Sequence, residues 1–122
     1  MKRVLTLLVV AAMAVALLIG LADATQNRHD TDRHEGTSTL VLSVSTKRGF
    51  DPELAAHSLW AACQPTVLAN RLVALGPHPD GEHLALAVEP GLGEHAQRRL
   101  VGCLEDATVD LVLAEVVSVT HG

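Results

Sequence analysis

Two cysteines and seven histidines carry most of the chemistry open to this chain. Cys63 and Cys103 do not form a Cys-x-x-Cys pair. Neither falls at the start of a predicted helix, where a thiol pKa drops, so a redox couple is a poor reading. A disulfide is the simpler one, provided that the compartment is oxidising. His29 and His34 stand among Asp30, Asp32 and Glu35, and His78 and His83 bracket Asp80 and Glu82. Imidazole and carboxylate groups suit Zn²⁺ or Cu²⁺. Neither group has the spacing of a tight site, so these histidines read first as polar loop residues, with loose metal binding as the alternative. No cofactor is expected.

Other reactive types lack a supporting context. Ser43, Ser45 and Ser58 are not in a Gly-x-Ser-x-Gly elbow, and there is no Walker-type glycine loop. Gly91 and Gly93 could present N–H groups to an anion, but such glycines more often turn a strand into a helix. Glu105, Asp106 and Asp110 read as helix-end and turn residues rather than as an acid–base pair. Catalysis is not expected.

The oxidation state of the cysteines depends on Val4–Leu21, an uncharged run preceded by Lys2 and Arg3. With Ala22-Asp23-Ala24 after it, the segment reads as a signal peptide cleaved after Ala24. The run is longer than the ordinary signal core of roughly 7–15 residues and matches the ~30 Å hydrocarbon layer, so the alternative is an uncleaved signal-anchor. Its positive end would stay in the cytoplasm. In both readings residues 1–24 place the remainder outside the cytoplasm, on the membrane or secreted.

Residues 25–38 are polar and charged and predict a flexible tether. Without residues 1–24 the chain keeps seven Lys and Arg against thirteen Asp and Glu, a formal charge of −6. It has no Tyr, one Phe and one Trp. An acidic surface without aromatic platforms argues against nucleic acid.

The elements that must position Cys63 and Cys103 follow from periodicity. Thr39–Thr46 alternates Leu40, Leu42 and Val44 with Val41, Ser43 and Ser45, the period of a strand. Lys47-Arg48-Gly49 turns the chain. Asp51-Pro52-Glu53 starts a helix, and Ala56, Leu59, Trp60 and Cys63 form its apolar stripe. Gln64-Pro65 ends it. Arg71–Leu75 and His83–Val88 are strands joined through Asp80-Gly81, a tight-turn signal. Over residues 93–107, Ala96, Leu100, Cys103, Leu104 and Ala107 form a second stripe, with Arg98 and Arg99 on the exposed side. Residues 111–119 form the last strand.

Two right-handed crossovers joined by a hairpin predict an α+β domain over residues 39–120, with a four-stranded antiparallel sheet and both helices on one face. This βαββαβ two-layer sandwich is similar to the ferredoxin-like architecture, which carries no function by itself. Side-by-side helices put both cysteines on facing stripes, although an axial offset on the order of 10 Å must close to the ~5.5 Å of a bridged pair.

The uncovered sheet face should show Val41, Ser43, Ser45, Ala85 and Ala87. The last strand should add either Leu113, Val117 and Val119 or Val112, Ala114 and Val116. A smooth, partly apolar face of this kind suits an envelope protein partner or a homodimer. The expected role is a non-catalytic protein-interaction or assembly module at the bacterial cell surface.

Overall fold

The computed structural model describes residues 1–24, 35–47, 49–108 and 112–122. His29, His34, Arg48, Asp110, Leu111 and most of the expected tether lie outside the described residues.

Lys2–Ala24 is one helix, α1. At 1.5 Å per residue it is roughly 35 Å long. Its Lys2–Leu21 segment has a mean hydropathy of 2.9, which is long and apolar enough to cross a membrane. Every side chain from Met1 to Leu21 is exposed. An apolar helix exposed on all sides has no burying surface among the described residues.

The remaining elements are β1 (Ser38–Ser45), α2 (Pro52–Cys63), a 3₁₀ turn (Gln64–Val67), β2 (Arg71–Pro77), β3 (Leu84–Glu89), α3 (Glu94–Asp106) and β4 (Leu113–His121). The strands form one antiparallel sheet in the order β2-β3-β1-β4. The domain is α+β, and α2 and α3 pack on one face of the sheet. Leu40, Leu42, Leu86 and Val88 from the sheet form one buried core with Leu59, Trp60 and Cys63 from α2 and Leu100 and Leu104 from α3.

Local chemistry explains the ends of the helices. Asp51 caps α2, its carboxylate accepting the Glu53 N–H at 2.9 Å. Gln64-Pro65 does not stop the chain outright but tightens it into the 3₁₀ turn. Gly93 is the N-cap of α3 and its C=O accepts the Gln97 N–H. Arg99, expected on the exposed side, instead donates through Nε to the Thr66 carbonyl at 3.1 Å. That bond sets the middle of α3 against the 3₁₀ turn that follows α2.

Both edge strands carry a bulge. On β2 the register steps from Leu72–Val88 to Ala74–Ala87, leaving Val73 extra. Leu72 and Leu75, three apart, can then both pack on the core. On β4 the register steps from Val116–Leu42 to Ser118–Val41, leaving Val117 extra. Inward parity therefore changes along the strand. Val112, Ala114 and Val116 pack inward before the bulge and Val119 packs inward after it, whereas Leu113 and Val117 are exposed. Of the two sets expected on the uncovered face, Leu113 and Val117 of the first are exposed, whereas its Val119 and all of Val112, Ala114 and Val116 pack against the core, because the bulge changes the parity within the strand.

Candidate functional site

The helix-free face of the sheet is built from four strands of small side chains. Opposite Val41 stand Ala85 on β3 and Ser118 on β4, and Ala85 is in turn opposite Gly76 on β2. The adjacent row runs Ala74, Ala87, Thr39 and Thr120. Ser43 pairs with Glu115 and Ser45 with Leu113 at the far end. Ser43 and Ser45 are exposed, and Ala85 and Ala87 are half-buried. Val41 retains only 8 % exposure, hemmed in by its neighbours on the same face. The face is lined mainly by small side chains, with Leu113 at 68 % exposure beside Ser45 at its far end.

Cys63 and Cys103 form a disulfide, with their Cα atoms 5.7 Å apart. The expected axial offset is closed because α3 lies against the end of α2 and the 3₁₀ turn, where Arg99 meets Thr66. Cys63 is fully buried and belongs to the core, and Cys103 packs against that core while partly exposed.

Asp80 organises the β2–β3 connection. Its Oδ1 accepts the N–H groups of Glu82 at 2.9 Å and His83 at 3.0 Å. The backbone N–H groups of Glu82 and then His83 hold its carboxyl well below the usual carboxylate range, with the imidazoles of His83 and His78 adding to them. Its Oδ2 lies 2.6 Å from His83 Nδ1 and 3.0 Å from His78 Nδ1. The His78 N–H donates to the His83 carbonyl at 2.8 Å. The connection is a loop from His78 to His83 rather than a two-residue turn. One carboxylate oxygen engages both imidazoles, so the histidines act as partners of Asp80. Among the described residues, no group of three or more His, Cys, Asp and Glu side chains is placed to hold a metal ion.

Sequence reasoning missed Ser38, which it assigned to the tether. Ser38 begins β1 and is fully buried. Its Oγ accepts the Leu92 N–H at 2.8 Å and lies 2.7 Å from His121 Nδ1. His121 Nε2 lies 3.1 Å from Gln97 Oε1. The central N–H of the Gly91–Gly93 turn is thus satisfied by the protein itself and is not offered to an anion. The visible clue was parity: Ser38 stands two residues before Leu40 and four before Leu42, on the inward face of the strand. Its burial leaves Ser38 without access to a substrate, so the Ser–His contact is a structural clasp. Beside it, Thr37 Oγ1 donates to Glu89 Oε1 at 3.0 Å, and Arg71 reaches Glu89 Oε2 at 3.4 Å.

No protein-family model matches the chain, and no curated protein matches it.

Proposed function

We propose that the chain is an extracytoplasmic module, anchored by α1 or secreted after its removal, that binds a protein partner or a second copy through the open sheet face. The observation that carries this reading is the asymmetry of the sheet. One face is covered by α2 and α3, and the other is a level field of Thr39, Ala74, Gly76, Ala85, Ala87, Ser118 and Thr120. Small side chains let another surface approach closely while little side-chain entropy is lost.

The compartment reading is supported by α1 together with the Cys63–Cys103 bridge. An apolar helix of this length finds its burial in a bilayer or a translocation channel. Disulfides persist in oxidising compartments. The ferredoxin-like reading of the domain is supported by its strand pairing. β1 and β2 both run antiparallel to β3, which lies between them, and β3 and β4 both run antiparallel to β1. Each strand–helix–strand unit is therefore a split pair holding a strand of the other.

The test is chemical cross-linking of the full chain in the membranes of the cell that makes it. Wild type should give a discrete product, and Ala87→Arg should abolish it while leaving Trp60 fluorescence unchanged. A product that survives Ala87→Arg removes the open face as the site, and a wild-type chain that never cross-links removes the interaction reading.

A further inference from the structure

β4 is an edge strand, with β1 on one side and the end of the sheet on the other. It runs for nine residues, LAEVVSVTH, without lysine or proline. Exposed edges of this length invite pairing by another strand, and lysine, proline, bulges and covering groups are the usual protections. The strand best matched to such an edge is the same strand of a second copy, paired about a two-fold axis.

One backbone donor of this edge is already occupied. The Val116 N–H donates to Glu105 Oε1 at 3.2 Å, and Glu105 lies in the last turn of α3. A carboxylate is disfavoured there by the negative end of the helix dipole, and no basic residue accompanies it in that turn. What the position offers is reach: from it the side chain extends to the rim of the sheet. The bulged residue Val117 is next in the chain and is 53 % exposed. A bulge twists the strand locally and breaks the regular spacing that an added strand would need.

We infer that Glu105 and the Val117 bulge together close the β4 edge to a second copy of this chain. Glu105 competes for the donor that an incoming carbonyl would use, and its charge would be desolvated by the incoming strand. Two features of different origin, one in a helix and one in the strand, thus meet at the same two residues. The inference does not depend on what the open face binds.

The experiment compares the full chain in detergent micelles as wild type, Glu105→Ala, Glu105→Gln and the double variant Glu105→Ala with Val117→Lys, by light-scattering mass across a concentration series. Losing a hydrogen bond to a charged group should strengthen dimer formation by roughly tenfold in Glu105→Ala. Glu105→Gln keeps an acceptor oxygen and should shift less. Adding Val117→Lys should return the mass to that of wild type, because lysine on the edge opposes pairing. Ala87→Arg, on the open face, should leave the Glu105→Ala dimer intact. A Glu105→Ala chain with the wild-type mass overturns the inference, and so does a dimer that Val117→Lys does not reverse. Circular dichroism shows whether each variant is folded, and Glu105→Gln carries the comparison should Glu105→Ala unfold.

Discussion

Cys63, the last residue of α2, is bridged to Cys103 in α3, with 5.7 Å between their Cα atoms. This one bond ties together the two helices that cover the sheet. Its loop spans a sequence separation of 40 residues, and on the chain-entropy model such a closure stabilises a domain by ~4 kcal/mol. That is a large fraction of the 5–15 kcal/mol that is typical of whole domains, as a general estimate of about that order.

Reduction should therefore lower the denaturant midpoint of the full chain in detergent micelles sharply. The double variant Cys63→Ala with Cys103→Ala should begin at the lowered midpoint and show no response to reductant. Equal midpoints for oxidised and reduced wild type would contradict a stabilising role for the bridge.

Ser38 and Leu92 make a second long-range tie, 54 residues apart. Ser38→Ala leaves the buried Leu92 N–H without its acceptor, and should cost about 1–3 kcal/mol. His121→Ala removes a partner at the exposed end of the same chain of contacts, and should cost less than Ser38→Ala. Urea denaturation followed by Trp60 fluorescence measures both. A neutral Ser38→Ala would show that water replaces the hydroxyl.

Gly36 adopts φ +102°, and a Cβ built on it would collide with the Gly122 carbonyl oxygen. Thr37 and Gly122 exchange backbone hydrogen bonds of 3.0 and 2.9 Å immediately beside it. Gly36→Ala should loosen this pairing and destabilise the domain by roughly 1 kcal/mol or more. Amide exchange at Thr37 and Gly122 reads the effect directly, and unchanged protection would contradict it.

The Asp80 loop should resist acid. Its carboxyl pKa is depressed by the Glu82 and His83 N–H groups, so the stability it contributes is fully present above the unfolded aspartate value, about 3.9. That stability declines as the pH falls below the unfolded value and is gone once it has fallen through the lower folded value. The Glu82 and His83 amide signals should therefore hold their folded positions through pH ~4 and move only in stronger acid. Asp80→Asn should shift them at all pH values. Movement of the wild-type signals at the ordinary aspartate pKa would contradict the loop geometry.

The fold was legible where a residue's inward or outward position is set by neighbours in sequence. Leu40 and Leu42 on β1, Leu86 and Val88 on β3, the α2 stripe, and Ala96, Leu100 and Leu104 of the α3 stripe are buried as their periodicities require, with Cys103 and Ala107 partly buried against the same core. Periodicity failed at the bulges, because one extra residue inverts every later position. Val117 splits β4 into two parities, and only the Leu72 and Leu75 spacing hinted at the matching bulge on β2. Arg99 was misplaced for a related reason: the stripe is wider than its apolar members, and a guanidinium finds a carbonyl on a turn that the sequence did not show. The Ser38 clasp was least legible, since its partners Leu92 and His121 lie 54 and 83 residues away. The open face was legible as a set of residues, and the burial of Val41 within it depends on neighbours from three strands.

The most direct test of an extracytoplasmic domain is a thiol count on the chain as its own cell makes it, using a maleimide gel-shift reagent after acid quenching. No thiol should react before reduction and two should react afterwards, at Cys63 and Cys103, with the protein recovered in the membrane or the medium. Two free thiols before reduction, on a chain recovered from the cytoplasm, would contradict it.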